Sequence, residues 1–403
     1  METDLQSFIQ THKSEPVDKL AFSLSKRKDM DAAYVLRQVE GWQRLRHKVP
    51  AWAEVEALEY PPRLSLEQCS GEPAARYKRE VVRRLMPGGG GSFVDLTGGF
   101  GVDFSFIAPH FRRAVYVERQ AELVRLARHN LPLVGAPHAE VVEDDAVSFL
   151  ERMPQADLVF LDPARRDAAG RKTVSLKDCT PDVLQLLPLL REKARFVLLK
   201  LSPLFDLSLA MQQLGCVREA HVFAAGGECK ELLLWLSWDG EEDAPAPAPD
   251  TVPVFCADDD MRFRFTREEE AAAPVEYAAD VHPGQYLYEP SAALLKAGAF
   301  CTVAARFGLQ KLHRDAHLYV SDAHVPGFPG RCYEVLRTGG FSRAQLRAFR
   351  ADLKAAGLTV RGFPATVHEL RKRLGISDGG SEQWFATTQA DGTHLLIATC
   401  RVA

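Results

Sequence analysis

The sequence lacks long apolar runs, paired cysteine motifs and a large excess of charge of either sign. No apolar stretch approaches the roughly eighteen residues of a membrane-spanning helix, so we expect no membrane contact. The polar N-terminus, METDLQSFIQTHKS, has neither the apolar segment of a secretory signal nor the Arg-rich pattern of a transit peptide. The eight cysteines are scattered singly, without CxxC or other metal-like spacing, which predicts free thiols, no metal and a reducing cytoplasm. A net charge of −4 argues against a uniformly basic nucleic-acid coat but leaves room for a local basic face.

What the sequence does have is enough length and apolar content for two or three domains. Its 403 residues, 46% apolar and 26% charged, are typical of a soluble globular protein rather than a disordered one. The segment from Glu241 to Asp250 is acidic and alternates Pro with Ala, which is typical of a semi-rigid exposed linker. We therefore expect a helical N-terminal region at 1–75, an α/β domain at 76–240, the linker at 241–250, and an α+β part of one or two small modules after it.

Strands and helices alternate between residues 92 and 238, which predicts a parallel sheet with right-handed crossovers. Parallel strands are expected at 92–96, 114–118, 139–142, 157–161 and 196–201, followed by an edge hairpin at 221–224 and 231–238. After the linker, the expected elements include a strand at 302–306, a helix at 343–356 and a closing hairpin at 383–388 and 394–400.

The glycine-rich string F-V-D-L-T-G-G-F-G-V-D, residues 93–103, joins the first strand to a helix. Glycines allow positive φ angles and let a ligand approach the backbone, while N–H groups at the start of the helix point at that ligand. The dinucleotide fingerprint Gly-x-Gly-x-x-Gly is incomplete here, because no third glycine follows Gly99-Phe100-Gly101. Asp103 would also repel a pyrophosphate, whereas it is harmless to a cationic cofactor. The string therefore favours S-adenosylmethionine, which carries a sulfonium and no phosphate, over a dinucleotide.

Acidic residues follow four of the predicted parallel strands: Asp95, Glu118, Asp144 or Asp145, and Asp162. In an open α/β sheet, ligands bind at the carboxyl ends of the strands. Glu118 could accept hydrogen bonds from both hydroxyls of a ribose, and Asp95 could hold a cationic ammonium group. Asp144 or Asp145 could accept from an adenine amino group, beside the backbone N–H of Ala146. Any one of these carboxylates could equally cap a helix, but four at one sheet edge favour an adenosyl cofactor.

The fourth strand ends in Asp162-Pro163-Ala164-Arg165-Arg166, which would lie beside the transferred methyl group. Amino-methylating enzymes commonly carry a polar residue, two prolines and an aromatic residue there, and this sequence keeps only the Asp and the first Pro. We predict that Asp162 and Pro163 act in catalysis. Arg165 would act with them, since a guanidinium can stack on a base or pair with a phosphate, and Arg166 would contact the substrate.

Residues of the later strands could also face the substrate. Lys200, near the end of the fifth strand, is a candidate catalytic residue, with a surface or salt-bridged lysine as the alternative. Ser202 stands where enzymes that methylate base carbon use a Cys nucleophile, so covalent carbon methylation is disfavoured. Glu228 and Lys230, on the edge hairpin, are candidate substrate contacts.

Together these motifs resemble class I S-adenosylmethionine-dependent methyltransferases. More narrowly, they resemble a bacterial group, frequent in Bacteroidetes, that carries ferredoxin-like and THUMP-like C-terminal domains. The strings that carry the resemblance are E-Q-C-S-G-E at 67–72, D-L-T-G-G-F-G-V-D at 95–103, D-P-A-R-R-D at 162–167, K-L-S-P-L-F-D at 200–206, E-C-K-E-L-L at 228–233 and Y-L-Y-E-P-S-A-A at 286–293. The resemblance implies a Rossmann-like seven-stranded sheet at 76–240, a ferredoxin-like region at 251–328 and a THUMP-like domain at 329–403.

The resemblance also implies further cofactor residues. Gln68, Cys69 and Ser70 would lie over the methionine end of S-adenosylmethionine. The remaining implied contacts are those of the glycine turn and the second strand end: Thr97, Gly98, Phe100, Gly101 and, beside Glu118, Arg119.

THUMP-like and ferredoxin-like modules accompany many RNA-modifying enzymes, so the resemblance implies RNA as the partner. Arg371 and Arg373 would belong to an RNA-facing basic edge, with a solvated helix face as the alternative. We therefore expect a cytoplasmic methyltransferase that modifies tRNA or rRNA by direct SN2 transfer. The alternatives are a methyltransferase of a protein or small molecule, and a non-catalytic protein that binds RNA or the cofactor.

Overall fold

The structure is a computed structural model that describes residues 2–25, 27, 29–164, 175–238, 247–350 and 353–402. The chain divides into two compact units. The first comprises Met1–Phe223 and Lys230–Pro247, and the second comprises Ala224–Cys229 and Ala248–Ala403.

The first unit begins with helices that pack on one another through apolar faces. They are α1 (Glu2–His12), α2 (Val17–Leu24), α3 (Ala32–Lys48), α4 (Pro50–Ala53), α5 (Arg63–Gln68) and α6 (Glu72–Leu85). In α3 the apolar residues Val35, Val39 and Leu45 recur at helical spacing and are buried. The helix begins after Asp31, whose side chain accepts the N–H of Tyr34.

The sheet of the first unit follows these helices. Its strands are β1 (Gly90–Asp95), β2 (Phe111–Glu118), β3 (Ala139–Glu143), β4 (Ala156–Leu161), β5 (Ala194–Leu201), β6 (Val217–Ala225) and β7 (Glu228–Ser237). They lie in the order β3-β2-β1-β4-β5-β7-β6; β1 to β5 are parallel and β7 is antiparallel to β5. The intervening helices are α7 (Val102–Ile107), α8 (Ala121–Leu133), α9 (Ala146–Arg152), α10 (Val183–Lys193) and α11 (Leu207–Leu214), with short 3-10 helices at Ala108–His110 and Leu176–Asp178. The predicted Rossmann-like seven-stranded arrangement is confirmed.

The central strands are buried on both faces, which is why their sequences are nearly continuous apolar runs. In β4, Leu158 and Leu161 are fully buried, and in β5 the same holds for Val197 and Leu198, which point to opposite faces. Because these strands are parallel, the carboxyl ends of β1 to β4 meet at one edge of the sheet.

The second unit contains a further set of short strands and helices. They are β8 (Val254–Asp258), β9 (Met261–Phe265), α12 (Arg267–Ala272), β10 (Tyr286–Pro290), α13 (Ala292–Ala297), α14 (Phe300–Phe307), β11 (Gln310–Lys311), β12 (Tyr319–Ser321), β13 (Gly330–Gly339), α15 (Arg343–Arg350), β14 (Gly357–Arg361), α16 (Val367–Leu374), β15 (Gln383–Thr388) and β16 (His394–Arg401), with a 3-10 helix at Pro249–Thr251. Strands β10 to β16 form one sheet in the order β11-β12-β10-β13-β16-β15-β14.

This second sheet is covered on both faces. Phe385 and Ile397 belong to one hydrophobic cluster, while the adjacent residues Trp384 and Leu396 belong to another. Successive side chains of a strand point to opposite faces, so β15 and β16 each serve two cores.

One predicted element of the second unit is wrong, and another is shorter than predicted. The predicted strand at 302–306 is part of helix α14, because the carboxylate of Glu270 accepts the N–H groups of Phe300, Cys301 and Thr302 and so caps that helix. The helix predicted to reach residue 356 ends at Arg350. The predicted linker at 241–250 falls largely on residues 241–246, which lie outside the described part of the chain.

Candidate functional site

Four carboxylates follow neighbouring strands at one edge of the first sheet, as the sequence predicts. Asp95 and Glu118 are the last residues of β1 and β2, and Asp144 and Asp162 come directly after β3 and β4. Because the strand order is β3-β2-β1-β4, these residues follow one another along the sheet edge in the order Asp144, Glu118, Asp95 and Asp162.

Asp95 lies in the middle of this row and is only 1% exposed. Its Oδ1 accepts the N–H of Thr97 at 2.8 Å, and Thr97 Oγ1 accepts the N–H of Asp162 at 2.7 Å. Burial raises the pKa of Asp95 well above its usual range; the Thr97 N–H opposes this shift and neighbouring carboxylates add to it. Thr97 therefore joins the end of β1 to the end of β4.

The glycine turn after β1 is shaped by close packing. A Cβ at Gly98 would lie 2.1 Å from the ring of Tyr116, so no side chain fits there. Gly101 has a φ of 90°, in the left-handed region that favours glycine. Phe100 turns its ring into the core, where it packs edge-on against Trp52 at a centroid distance of 5.1 Å. A ligand at the glycine turn would therefore contact the main chain of Phe100 and not its ring.

Glu118 organises the other side of this turn. Its Oε2 accepts the N–H of Gly99 at 3.0 Å, and its Oε1 accepts the N–H of Gln120 at 2.9 Å. Each carboxylate oxygen has a second lone pair, so the two oxygens can still accept hydrogen bonds from a ligand. Arg119, the next residue, is exposed.

Asp103, in the first turn of α7, contacts three other segments. It is 9% exposed, and its Oδ2 accepts a hydrogen bond from Ser70 Oγ at 2.7 Å. Its Oδ1 lies 3.2 Å from Lys78 Nζ, and its Oδ2 lies 3.6 Å from Lys200 Nζ. Asp103 thus connects the segment after α5 with α6 and β5.

Lys78 is completely buried, which for a lysine requires a charged partner. Its Nζ forms an ion pair with Glu231 of β7, which is itself 3% exposed, in addition to the pair with Asp103. The ammonium group is therefore enclosed between two carboxylates from different elements.

Lys200 connects these buried groups to the solvent side of the site. Its Nζ lies 2.5 Å from Asp162 Oδ2, and the side chain of Asp162 is 36% exposed. Lys78, Asp103, Asp162, Lys200 and Glu231 together form what we call the charge cluster, with two ammonium groups and three carboxylates.

The charge cluster shifts the pKa of Lys200 and of Asp103 in opposite directions. Burial by itself lowers the pKa of Lys200, but the carboxylates of Asp162 and Asp103 raise it above its usual value. Burial would raise the pKa of Asp103, yet the nearby Lys78 and Lys200 lower it below its usual range. Asp103 and Lys200 are therefore charged at neutral pH.

At the end of β3, the two adjacent aspartates have different partners. Asp145 caps α9, because its Oδ1 accepts the N–H groups of Val147 and Ser148 at 2.9 and 3.3 Å. Asp144 forms an ion pair with Arg152. Ala146 is the first residue of α9. For Asp145 the structure shows the helix-capping alternative.

The segment predicted to cover the methionine end of the cofactor is brought to the site through Ser70. Gln68 ends α5 and is exposed. Cys69 Sγ donates to the carbonyl of Leu66 at 3.3 Å, and burial raises the pKa of its thiol. Ser70, bonded to Asp103, is the member of the three that reaches the charge cluster.

Other predicted substrate residues are placed less centrally. Glu228 and Lys230 are exposed. They lie two positions apart in β7 and therefore share one face of the strand, whereas Glu231 lies on the other face. Pro163 is buried. The predicted residues Arg165 and Arg166 lie outside the described part of the chain.

The two predicted basic residues of the second unit also differ from each other. Arg371 Nη2 lies 2.5 Å from Asp378 Oδ1, and its Nη1 donates to the carbonyl of Ala356, so this guanidinium joins α16 to neighbouring segments. Arg373 is exposed.

Two family models match the second unit: one for a ferredoxin-like domain at residues 286–329, and one described as THUMP domain-like at residues 330–401. Two Mycobacterium tuberculosis proteins, from strains CDC 1551 and H37Rv, are each 27% identical over 341 residues, which is 84% of this chain and 87% of theirs. Both are named as uncharacterised S-adenosylmethionine-dependent methyltransferases. The crystal structure of a candidate methyltransferase from Porphyromonas gingivalis W83 has a TM-score of 0.86 and 36% identity, covering 99% of this chain and 98% of that one.

The chain belongs to the class I S-adenosylmethionine-dependent methyltransferases. Within that family it is a member of the group with ferredoxin-like and THUMP-like C-terminal domains. Its cofactor is S-adenosylmethionine. The two matched C-terminal segments share one sheet, since β10 of the first pairs with β13 of the second.

The chemistry of the strand ends in this methyltransferase fits that cofactor. The charge cluster contains one more carboxylate than ammonium group, and Glu118 adds a further carboxylate. A site with this balance attracts a sulfonium and repels a pyrophosphate. Among the described residues, no group of three His, Cys, Asp or Glu is arranged to hold a metal ion. None of the described helices is long and apolar enough to cross a membrane.

Three residues of the charge cluster are not among the site residues predicted from the sequence: Lys78, Asp103 and Glu231. Lys78 carried a signal, because it interrupts an apolar stripe on α6 whose members, Ala74, Ala75, Val81 and Val82, are buried. A lysine in the buried face of a helix predicts that a carboxylate is buried next to it. Glu231 carried a weaker signal as the acidic start of the apolar run of β7.

Proposed function

We propose that this methyltransferase modifies RNA, and that Asp162 and Lys200 form its reaction centre. The observation that supports RNA is the THUMP domain-like match at residues 330–401 of the same chain. A THUMP-like domain in the same chain links this methyltransferase to RNA by analogy with RNA-modifying enzymes, and the experiment below tests the substrate directly.

Asp162 is the candidate group for the acceptor. Its Oδ2 faces Lys200 Nζ at 2.5 Å, which leaves Oδ1 to accept a hydrogen bond from an N–H or O–H of the target nucleotide. Its backbone N–H is fixed by Thr97, so the carboxylate is positioned from two sides. Such positioning of donor and acceptor supplies most of the catalysis in an in-line transfer.

S-adenosylmethionine, when bound, supplies a methyl group activated by its sulfonium. In the proposal Glu118 accepts hydrogen bonds from the ribose, Asp95 faces the methionine amino group, and Ser70 lies over the methionine end. Asp144 and the N–H of Ala146 would contact the adenine, while the main chain of the glycine turn from Thr97 to Gly101 would pack against the cofactor.

Pro163, Arg165 and Arg166 would face the target nucleotide. An RNA substrate agrees with the cytoplasmic location expected from the sequence.

The test uses purified protein, radiolabelled S-adenosylmethionine and total RNA from a strain that lacks the gene. We expect label to enter one RNA size class, and nucleoside analysis would then identify the modified atom. Label that enters protein or small molecules and not RNA would contradict the proposed substrate and favour those acceptors. Tight cofactor binding without transfer to any fraction would contradict catalysis itself.

A further inference from the structure

Helix α6 carries five basic residues, and the fold directs them to three different places. Lys78 points into the charge cluster. Arg84 forms an ion pair with Glu219, at 3.0 Å between Arg84 Nη1 and Glu219 Oε1. The other three recur at positions i, i+3 and i+7, so they share one face of the helix. They are Arg76, Arg79 and Arg83.

This arginine face lines a cavity of about 630 Å³ in the first unit. The other walls are mainly apolar and come from α4, the segment around α7 and the end of α8. Among the residues of these walls are Trp52, Ser105, Phe106 and Leu133. None of the described residues that line the cavity is acidic. The cavity therefore has one cationic wall and one apolar wall.

Two of the three arginines have no carboxylate partner in the part of the chain that the structure describes. Arg76 donates to Glu72 Oε1 at 2.8 Å and lies over the ring of Phe106 at 5.4 Å. Arg79 and Arg83 form no ion pair with a described residue. The Nε of Arg79 is buried and has no hydrogen-bond acceptor among the described residues. Since Arg79 and Arg83 line the cavity without a carboxylate partner, an anionic ligand there could pair with the guanidinium N–H groups that face it.

The cavity is separate from the cofactor residues but adjacent to them. Helix α7 directs Asp103 to the charge cluster and Ser105 and Phe106 to the cavity. Trp52 lines the cavity and packs against Phe100 of the glycine turn. A ligand in the cavity would therefore be anchored to the same unit that presents the methyl group.

We propose that this cavity docks the sugar–phosphate backbone of a single-stranded segment of the RNA substrate. Arg76 and Arg83 lie seven positions apart, which is about 10 Å along the helix axis. A single phosphate is satisfied by one or two guanidinium groups, whereas a strand presents successive phosphates, so three arginines along this length suit a strand better than one isolated anion. The apolar wall, with Leu133 at 42% exposed, provides a surface for a base or ribose. The inference rests on the proposed RNA substrate.

The test compares two double variants of the full chain that remove the same charge. Arg79→Gln/Arg83→Gln removes the two unpaired arginines of the cavity, and Arg113→Gln/Arg128→Gln removes two exposed arginines that do not line it. The probe is a fluorescein-labelled mixed-sequence 12-nucleotide single-stranded RNA, measured by anisotropy at several salt concentrations. Cofactor affinity and thermal melting of each variant show that it is folded.

We expect the cavity variant to bind the RNA at least about tenfold more weakly, with the slope of log Kd against log salt reduced by about 1.4 for two lost phosphate contacts. The control variant should stay within about twofold of the unsubstituted protein. Equal weakening in both variants, or none in either, would overturn the proposal. So would equally effective displacement of the RNA by inorganic phosphate or by a polyglutamate peptide, since these would indicate a single-anion or protein site.

Methyl transfer separates this inference from the proposed function. If RNA is methylated but the cavity variant binds the oligonucleotide like the unsubstituted protein, the docking proposal fails and the RNA methyltransferase proposal stands. If the oligonucleotide binds through the cavity but no RNA fraction takes up label, docking stands and the proposed reaction fails.

Discussion

The two units of this methyltransferase differ in how their buried charged side chains are paired. In the first unit, Lys78 and Glu231 are fully or almost fully buried, pair with each other and belong to a cluster that reaches the strand ends. In the second unit, the buried carboxylate of Glu289 pairs with two arginines whose side chains are 51% and 35% exposed. Arg337 and Glu382 of that unit form a pair whose side chains are 32% and 15% exposed.

The difference shows which charges have a purpose other than stability. Removing two charges from water costs about as much as their attraction returns, so a buried pair can often be replaced by apolar residues without loss. The Lys78–Glu231 pair is therefore poorly explained as a stability device. It is better explained as a support for Asp103, Lys200 and Asp162, whose geometry the proposed reaction needs.

The largest expected effect is on turnover and tests whether the first unit's charges perform the chemistry. In Asp162→Asn, the neutral amide cannot form an ion pair with Lys200 or offer the target a charged acceptor, so the target is held less well and we expect turnover to fall by about 10²-fold or more. The affinity for S-adenosylmethionine, measured by calorimetry, should change by less than about threefold. Asp206→Asn is the matched control, because Asp206 caps α11 outside the site and Asn caps equally well. Equal loss of affinity and turnover would remove the assigned role.

The next effect compares an ion pair of each unit directly. Lys78→Met leaves Glu231 buried without its partner and should lower the free energy of unfolding by about 3 to 5 kcal/mol. Arg337→Met breaks a partly exposed pair in the second unit and should cost about 1 kcal/mol or less. Urea denaturation measures both.

A double variant sharpens the result for the first unit. Lys78→Met/Glu231→Leu replaces the buried pair by apolar groups and should recover much of the lost stability. Turnover should remain low if the pair supports Lys200 and Asp162. Full recovery of turnover with stability would show that the pair is structural only.

A smaller effect concerns the acid sensitivity of the second unit. His317 stacks on Phe300, with ring centroids 3.4 Å apart, and burial together with the nearby Lys311 and Arg361 lowers its pKa to about 4 from 6.5, against the opposing charge of Asp315. The unfolded chain binds the proton first, so this histidine's contribution is present above pH 6.5 and is lost as the pH falls towards 4. Because the residue is partly exposed, we expect about 1 to 2 kcal/mol over this window. In His317→Asn, urea denaturation at pH 7, 5.5 and 4 should show a shallower decline; parallel curves would contradict the assignment.

The smallest effect is expected at an exposed pair of the first unit. Arg113 and Glu140 are 58% and 53% exposed and 2.8 Å apart. Arg113→Gln should change the free energy of unfolding by less than about 0.5 kcal/mol in urea denaturation. A loss of 2 kcal/mol or more would show that charge in the first unit matters wherever it lies, and not because it is buried.

Much of the first unit could be predicted from the sequence. Alternating strands and helices imply a parallel sheet, and in such a sheet the chain direction alone puts Asp95, Glu118 and Asp162 at one edge. The second unit was harder, as the segment from Thr302 to Arg306 shows. Its β-branched residues favoured a strand, but Glu270, some thirty residues earlier, caps it as a helix.

The sequence by itself determined the order of elements, the glycine turn and the row of acids, because each depends on residues that are neighbours in the chain. Tertiary structure decided which charges meet. Lys78 and Glu231 are 153 residues apart, and nothing local pairs them. It also divided the basic residues of α6 between the charge cluster, a surface ion pair and the arginine cavity. Ion pairing depends on distance and burial, and these are set by how helices and strands pack rather than by the pattern within any one of them.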